Sequence, residues 1–536
     1  MSGKALSGNE GPKRRKGSKI LLGTAILFLI VVITYAAMDI VSVNSWDRSK
    51  RQMATQGESL DFADFIPKRT PDERNFALAP IIASSYNFIL DSNGNQILPW
   101  KTNINDRLSM SIYDDHSAIG EPGFHLEGWV VGEKTDLKAQ QTYYRALARE
   151  TNTFQVPPQP GNPAQDVLLA LSKYDSNVDE LKVACRLPDS RFPLNYGDIL
   201  IFLPHLGALD TCSQMLNLRA VAELQNGQNQ QALEDIETSF RLIESIRTEP
   251  FLISGSVRAQ MLTETIQPIW EGLNGHEWST LQLDRLKKDL QGFDFVSDYK
   301  FNTRGERAHN LREIESIRHV RRLAPYLIHA EIGADGQPEL SYSNEVLKTA
   351  RSIIYHSIPD SVFYQNEINL ANIYQNWILP IVDPQKQTIS PDAENAAAIE
   401  IRKEYGHFSS DKIFIRYFLP GVPNVTIHEA FAQDAVNMAR IACALEQYRI
   451  ESKNYPTKLD SLVPRFLNAV PHDVIDGHPF KYYPTNEDRF ILYSVGWNKT
   501  NEGGRAALYS YRDNNDIWDG DWIWNGVGTT NEMPHP

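Results

Sequence analysis

The sequence predicts a mainly α-helical protein with a C-terminal α+β module and a single transmembrane helix near the N-terminus. Three observations lead to this fold class. Residues 20–38 form a run of 19 residues without a charge. Through the middle of the chain, apolar residues recur at three- and four-residue spacing, which is the helical period. Towards the C-terminus, one long amphipathic pattern is followed by short strand-like runs separated by polar turns.

The apolar run Ile20–Met38 has about the 20 residues that a helix needs to cross a bilayer. Residues 1–19 carry six basic residues and one acidic residue, and a basic flank stays on the cytoplasmic side. These features predict a single-pass protein of the bacterial inner membrane, with its N-terminus inside and its body in the periplasm. A cleaved signal peptide is the alternative, because Tyr35-Ala36-Ala37 approximates a small-residue cleavage site.

Charge and cysteine content narrow the partners and the chemistry. The net charge is −14 at pH 7 although the first 19 residues are basic, and an acidic body disfavours nucleic acid as a partner. Cys185, Cys212 and Cys443 are too few and too widely spaced for a disulfide framework. We expect them to be buried as small apolar residues, with one pair among the three left open.

Shifts in composition divide the chain into six segments. The segment after the apolar run is polar and typical of a tether, and Pro- and Gly-rich stretches mark later breaks. The predicted segments are a basic cytoplasmic tail at 1–19, the transmembrane helix at 20–38, a tether and irregular mixed region at 39–165, an α-helical domain at 166–381, a linker at 382–426 and the α+β module at 427–536.

Two local signals stand out within the predicted helical domain. Gly227 and Ala232 lie between two helical patterns, five residues apart, as the turn glycine and packing alanine do in a tetratricopeptide-type hairpin. Only one such unit is visible in the sequence, so a generic αα-hairpin is favoured. Further on, Ser279 and Gln282 have the spacing of a helix-capping box.

The predicted module begins with a long amphipathic helix and continues as a small sheet. The helical pattern covers Ile427–Ser452, and Asn454-Tyr455-Pro456 ends it. A short helix is predicted at LDSLVPRFL. The runs PFKYY and RFILYSV, separated by the polar turn PTNED, predict two antiparallel strands on which the long helix packs.

The order of motifs in this module supports a family resemblance. The motifs are Tyr455-Pro456, LDSLVP, Asp476-Gly477-His478-Pro479, Tyr493-Ser494-Val495-Gly496 and Asp516-Ile517. Together they resemble the globular C-terminal part of type II secretion pseudopilins, over about a fifth of the chain. The whole chain is similar to uncharacterised bacterial envelope proteins that place a helical domain between an anchor and this module. This similarity implies other envelope proteins as partners.

The sequence departs from pseudopilins at its N-terminus. Pseudopilins have a processed leader in which a Gly and an apolar residue are followed by a Glu at the start of the membrane helix. The stretch Gly17–Leu22 has no such Glu, and hundreds of residues separate the membrane span from the long helix of the module. Processing and polymerisation into a fibre are therefore not implied.

The resemblance also implies a metal site, because the corresponding loop of major pseudopilins often binds calcium. By position, Asn498 replaces a loop aspartate, and Asp516 matches the aspartate ahead of Ile517. Ca²⁺ takes six to eight hard oxygen ligands. The candidate ligands are Asn498, Glu502, Asp513, Asp516 and Asp519, with Asn501 nearby. A solvated acidic loop held by aromatic side chains is the alternative. The prediction is therefore a loop held in one conformation, with or without bound calcium.

Four tryptophans accompany this loop. We predict that they close the sheet edge and cover the helix, each burying a large apolar surface. An exposed aromatic cluster that recognises a partner or a glycan is the alternative. The four are Trp497, Trp518, Trp522 and Trp524.

No catalytic residue is predicted, although several short patterns invite the question. Ser297-x-x-Lys300 and Ser409-x-x-Lys412 fit a Ser-Lys nucleophile pattern but lack its companion Lys-Thr-Gly. His428-Glu429 lacks the second His of a zincin helix, and Asp114-Asp115-His116 stands in a loop. The predicted function is a non-enzymatic scaffold or interaction protein. The alternative is an envelope hydrolase or glycan-acting enzyme whose carboxylates converge only in the fold.

Overall fold

Helices dominate the structure, a computed structural model, which confirms the mainly helical fold class. Short antiparallel sheets accompany the helices, as predicted. The structure describes residues 13–86, 89–90, 96–97, 106–114, 120, 128–151, 153–197, 201–319, 331–332, 338–339, 358–405, 409–419, 422–485, 489–509 and 514–524.

The α-helices of the described residues range from one turn to the very long first and last helices. In chain order they are α1 (Lys13–Thr55), α2 (Pro80–Ala83), α3 (Gly128–Val131), α4 (Leu137–Leu147), α5 (Pro163–Leu171), α6 (Asp175–Ala184), α7 (His205–Gln225), α8 (Asn229–Ser245), α9 (Leu252–Asn274), α10 (Thr280–Leu290), α11 (Phe295–His319), α12 (Asp360–Ile373), α13 (Pro391–Tyr405), α14 (Ile413–Phe418) and α15 (Val422–Ser452).

The strands are short and pair in antiparallel fashion. They are β1 (Ile89–Leu90), β2 (Gln96–Ile97), β3 (Glu331–Ile332), β4 (Pro338–Glu339), β5 (Val382–Asp383), β6 (Thr388–Ile389), β7 (Lys481–Pro484), β8 (Phe490–Ser494), β9 (Ala506–Tyr509), β10 (Asn514–Gly520) and β11 (Trp522–Trp524).

The sheet of the C-terminal module has the order β11-β8-β7, so β8 is central. Trp522 pairs with Ser494 and Trp524 with Leu492, while Tyr482 of β7 also pairs with Leu492 from the other side. The two predicted strands are thus confirmed at β7 and β8.

The chain forms two compact units, each assembled from separate stretches of sequence. The first comprises Met1–Leu60, Asn310–Asn372 and His407–Phe418. The second comprises Asp61–His309, Ile373–Gly406 and Leu419–Pro536. The predicted segment boundaries follow composition along the chain, and they stay predictions.

Helix α1 contains the predicted membrane span. It is the helix among the described residues that is long and apolar enough to cross a membrane, and its most apolar stretch has no buried residue. The helix continues without a break to Thr55, through the start of the predicted tether. Trp46 and Met53 of this continuation are buried. Their apolar side chains therefore have partners within the fold, which a free tether would lack.

The predicted αα-hairpin is formed by α7 and α8. Gly227 sits in the turn with a φ of 73°, a conformation that favours glycine, and Ala232 is fully buried. The capping box is also present: the Ser279 side chain accepts from the Gln282 N–H, and the Gln282 side chain accepts from the Ser279 N–H.

The long helix α15 begins five residues before its predicted start, at Val422, and ends at Ser452 as predicted. The predicted short helix is one 3-10 turn, Leu459–Leu462. Burial in the interior confirms the expectation for Cys212 and Cys443, whereas Cys185 is half-buried, and all three are free thiols.

Aromatic side chains join α15 to the sheet and to α3. The ring of Phe431 stacks on Trp129 with centroids 5.6 Å apart and meets the edge of Trp522 at 5.3 Å. Trp129 also lies 5.7 Å from Trp524. The prediction of buried tryptophans is right for Trp497, Trp522 and Trp524. It is wrong for Trp518, which is 44% exposed.

Candidate functional site

The loop after β8 is organised around Asp521, which is fully buried. Its carboxylate accepts hydrogen bonds from the backbone N–H groups of Glu502 at 3.3 Å, Gly504 at 2.7 Å and Arg505 at 3.2 Å. Burial raises the pKa of Asp521 to about 6, while the three N–H groups act in the opposite direction. The side chain thus closes the loop onto the residue that precedes β11.

Glycines make this closure sterically feasible. Gly503 and Gly504 have φ values of 77° and 83°, as the predicted tight turn requires. Gly496 has a φ of 67°, and a Cβ there would overlap the carbonyl oxygen of Gly520. At Gly496 two backbone segments therefore approach each other closely.

The amide of Asn498 lies between two of the predicted ligand carboxylates. Its Nδ2 donates to Glu502 Oε1 at 3.0 Å and to Asp519 Oδ1 at 2.6 Å. Its Oδ1 accepts from the backbone N–H of Thr500 at 2.8 Å. The positively polarised NH₂ group thus occupies the place between the carboxylates where a shared cation would otherwise neutralise them.

The structure brings together Asn498, Glu502 and Asp519 of the predicted calcium ligands. Asp513 and the side chain of Asp516 lie outside the described residues. Glu502 Oε2 is buried, and the Glu502 carboxyl lies beside that of Asp521. Within the described part of the chain, no three His, Cys, Asp or Glu side chains converge as a metal ion would require. The described donors do not form a complete cage in this arrangement, and calcium binding stays a prediction.

A second acidic feature, the acid pair Asp434 and Asp473, lies beneath the same loop. Asp434 is fully buried on α15, and its Oδ1 accepts from the N–H of Val474 at 3.0 Å. Asp473 is also buried and accepts from the N–H groups of Ile475 at 2.8 Å and Val495 at 3.1 Å. Burial, followed by the neighbouring Asp473 carboxyl, raises the pKa of Asp434 well above its usual value. Burial likewise raises the pKa of Asp473.

Sequence reasoning missed both Asp521 and the acid pair. One signal for Asp434 was present: it lies three residues after Phe431 and four before Met438, so it shares their apolar helix face. A carboxyl on such a face needs a buried partner. No comparable local signal marks Asp473, because its partner is a helix far away in sequence.

The helical core contains a serine, a histidine and a glutamate in contact. His205 Nε2 lies 2.7 Å from Glu249 Oε1, and Ser254 Oγ donates to Glu249 Oε2 at 2.6 Å. All three residues are buried. A hydrolytic triad needs the histidine between the serine and the acid. Here the acid lies between the other two, so the histidine does not activate the serine, and the set ties helices together.

The serine and lysine patterns also have structural roles in the fold. Ser297 and Lys300 lie on one helix, where the N–H of Ser297 donates to Asp294 Oδ1 at 2.9 Å. The Ser409 hydroxyl donates to Asp411 in the turn before α14. Asp114 accepts from the Thr153 hydroxyl at 3.0 Å, and Asp115 and His116 lie outside the described residues.

His276 is part of a contact that the sequence did not suggest. Its Nδ1 lies 3.0 Å from Glu446 Oε1 of α15, and Arg449 donates to the same carboxylate. Despite its burial, hydrogen bonds from Arg449 and His276 lower the pKa of Glu446 to about 2. The histidine thus joins the end of α9 to α15.

Comparisons with protein-family models, with curated proteins and with solved structures find no match for this chain. The inference of function therefore rests on the sequence and on the geometry of the described residues.

Proposed function

We propose that this protein is a single-pass, outward-facing scaffold of the bacterial inner membrane that presents a pseudopilin-like C-terminal module to other envelope proteins. The proposal is supported by two features that occur in one chain. Helix α1 exposes an apolar stretch, and elsewhere buried polar groups hold helices and loops together. Asp521 closes a loop, Glu249 joins two helices, and Glu446 binds His276 and Arg449. These are the contacts expected of a rigid interaction protein.

An uncleaved anchor fits this role. Ala36 and Ala37 lie inside an uninterrupted helix. Just beyond them, Asp39 Oδ1 accepts the backbone N–H of Ser361 at 2.7 Å, a contact with the first turn of α12. Cleavage after Ala37 would place Asp39 next to a free N-terminus, where the helix that positions it would fray.

Trp518 is the candidate contact residue of the module. Its ring is exposed, and it lies edge-on to the buried Trp497 with centroids 6.3 Å apart. A large aromatic ring held against a rigid neighbour loses little conformational freedom on binding, which suits a partner-binding residue. Of the four tryptophans, Trp518 alone is thus proposed to form the exposed aromatic contact that the sequence suggested as an alternative.

Calcium is optional in this proposal. Asp521 and the Asn498 amide already close the loop through hydrogen bonds. A cation bound by Glu502 and Asp519 would have to displace the amide NH₂ group between them. Weak binding, in the range of about 10⁻⁴ to 10⁻³ M that is typical of extracellular modules, is therefore expected.

The test uses full-length protein solubilised from its native membrane with mild detergent, followed by affinity purification and mass spectrometry, in Ca²⁺ and again in EGTA. Envelope proteins should co-purify with the wild type in both buffers. They should be lost from Trp518→Ala and retained by Tyr483→Ala, which removes another exposed aromatic ring of the module.

Two results would contradict the proposal. Equal recovery from the two variants would remove Trp518 from the interface. Recovery of no partner, together with turnover of cell-wall glycan by the purified protein, would favour the hydrolase. N-terminal sequencing of the same preparation tests the anchor, since a chain that begins at Met38 would show cleavage.

A further inference from the structure

Helix α1 concentrates basic residues at the end that precedes the apolar run. Five of the seven positions directly before Ile20 are basic, namely Lys13, Arg14, Arg15, Lys16 and Lys19. The helix begins at Lys13 and continues without a break through the run, so these positions belong to the same helix as the proposed span. At about 1.5 Å per residue they cover about 9 Å of helix.

These basic positions have no acidic partner on their own helix. Ion pairs along a helix form between residues three or four positions apart. Glu10 precedes α1, no acidic residue occurs between Lys13 and Met38, and the next one is Asp39. Asp39 lies about 30 Å from Lys19 along the helix axis, and its carboxylate accepts the backbone N–H of Ser361. The first turns of α1 therefore carry a positive charge that α1 itself does not neutralise.

The basic positions surround the helix and do not form a single face. Successive residues of an α-helix are rotated by about 100° about its axis. The consecutive positions 13–16 therefore cover all sides of one turn, and Lys19 falls between the directions of Arg15 and Lys16. A partner protein would contact a patch on one side, whereas lipid headgroups surround a membrane helix on every side. The arrangement thus fits a ring of lipids.

The opposite end of the apolar run has no comparable cluster. Beyond Met38 the first basic residue is Arg48, about 14 Å past Asp39 along the helix. Lys50 follows and forms an ion pair with Asp47 at 2.9 Å. A dense group of positive charges therefore occurs at one end of the span only, the end that the proposed topology places at the cytoplasmic surface.

Phosphate groups of anionic lipids have the position and the charge to neutralise this group. The headgroup layer on each side of the hydrocarbon core is about 5–8 Å thick, and the basic positions begin directly at the edge of the core. Arg can bind a phosphate through two parallel hydrogen bonds, and Lys binds it as a point charge. Basic clusters of about this size on the cytoplasmic side of a membrane helix attract anionic headgroups.

We propose that residues 13–19 of α1 bind a ring of anionic phospholipids of the inner leaflet, through the phosphate and the net negative charge of headgroups such as phosphatidylglycerol. This inference rests on the proposed membrane span and adds the chemistry of the lipids at its cytoplasmic end. It goes beyond topology, since the positive-inside rule concerns orientation and does not require the inserted helix to select among lipids.

The test uses full-length protein in phosphatidylcholine vesicles that contain a trace of spin-labelled lipid. The nitroxide is attached to the acyl chain of either phosphatidylglycerol or phosphatidylcholine. Electron spin resonance then measures the fraction of each label that the protein immobilises, and the ratio of the two fractions is the lipid selectivity. Both labels occupy both leaflets, so the orientation of the protein in the vesicle does not affect this ratio.

The wild type should immobilise the phosphatidylglycerol label roughly threefold more than the phosphatidylcholine label at low salt. The selectivity should disappear in 1 M NaCl, where the Debye length falls to about 3 Å. Arg14→Gln combined with Arg15→Gln should lower the selectivity, and Arg14→Lys combined with Arg15→Lys should keep it. The matched control, Arg48→Gln combined with Arg51→Gln, removes two exposed basic residues beyond the span and should leave the selectivity unchanged.

Each further outcome decides a different claim. Equal immobilisation of the two labels overturns the anionic contact and leaves the span intact. No immobilised component with either label overturns the span and the contact together. An equal loss of selectivity in the two glutamine double variants overturns the assignment to the start of α1. In a last arm, inorganic phosphate replaces chloride at equal ionic strength, and loss of selectivity in phosphate alone would show a site for the free ion in place of a lipid.

Discussion

Two carboxyl groups of the C-terminal module, Asp521 and Asp434, are buried in different surroundings. Asp521 accepts three backbone N–H groups, and its pKa rises to about 6. Asp434 accepts one N–H from Val474 and lies near the Asp473 carboxyl, and its pKa rises well above the usual value. Both are fully buried, and burial is the largest cause of the raised pKa in each. The backbone N–H groups act against it, three at Asp521 and one at Asp434, while a neighbouring carboxyl, Glu502 or Asp473, adds to it.

Both carboxyl environments affect how the stability of the module depends on pH. Three backbone N–H groups donate to Asp521, and we call this arrangement the Asp521 cage. It holds the loop after β8, and the ionised carboxylate accepts these hydrogen bonds best. The acid pair joins α15 to the segment before β7, and the raised pKa values of both carboxyls mean that the folded state favours their protonated forms. Both elements therefore make stability fall as pH rises above about 4, Asp521 up to about its folded pKa of 6 and the acid pair over a wider range.

The largest expected effect tests the cage. Asp521→Ala leaves the N–H groups of Glu502, Gly504 and Arg505 without their acceptor. Since each unpaired buried donor costs about 1–3 kcal/mol, we expect a loss of about 3–5 kcal/mol in the free energy of unfolding. The control is Asp519→Ala, which removes an exposed carboxylate and should cost under about 1 kcal/mol. Urea unfolding followed by tryptophan fluorescence measures both, and equal losses would refute the cage.

A smaller effect, dependent on pH, tests the acid pair. Unfolded Asp has a pKa of about 3.9, so above that pH the unfolded chain releases protons that the folded pair retains. The wild type therefore loses stability as pH rises from about 4, by up to about 1.4 kcal/mol per pH unit for each retained proton. Asp434→Asn keeps an acceptor for the Val474 N–H and removes one titrating group.

The measurement is the difference between the two stability profiles from pH 4 to pH 8. Glu394 and Glu429, whose pKa values burial raises to about 8, contribute with the same sign in both proteins and cancel in the difference. We expect the variant to be flatter by about 1 kcal/mol per pH unit over part of this range. Parallel profiles would show that Asp434 does not retain a proton in the folded protein.

The smallest effect concerns Asn498. In EGTA, Asn498→Asp replaces an amide donor by a third carboxylate near Glu502 and Asp519, and we expect a loss of about 1 kcal/mol. Millimolar Ca²⁺ should restore it, since the added carboxylate supplies oxygen ligands. Isothermal titration of both proteins measures the change in affinity. If the wild type binds Ca²⁺ as tightly as the variant, the loop is already a cation site. The proposal that the Asn498 amide takes the place of a cation would then be wrong.

Features with short-range causes were predictable. The capping box depends on Ser279 and a residue three positions away, and the turn of the αα-hairpin depends on Gly227. Strands β7 and β8 follow from alternating residues and a polar turn between them. In each case the residues that decide the structure are neighbours in sequence, so pattern and propensity suffice.

Features with long-range causes were not predictable. Trp129, which lies in the predicted irregular region, stacks on Phe431 of α15. Trp518 is exposed although three tryptophans close to it in sequence are buried. Asp521, absent from the predicted ligands, closes the loop that they belong to. Nothing in the local sequence distinguishes these side chains from their neighbours.

By itself, the sequence determined that this protein is mainly helical, that it has one apolar helix near its N-terminus, and where the small C-terminal strands lie. These properties follow from periodicity, length and turn chemistry, which act over a few residues. The tertiary structure alone decided which carboxyls meet, which tryptophan stays exposed, and that Asp39 contacts the first turn of α12. Those outcomes depend on packing and desolvation between segments far apart in sequence, and no local pattern encodes them.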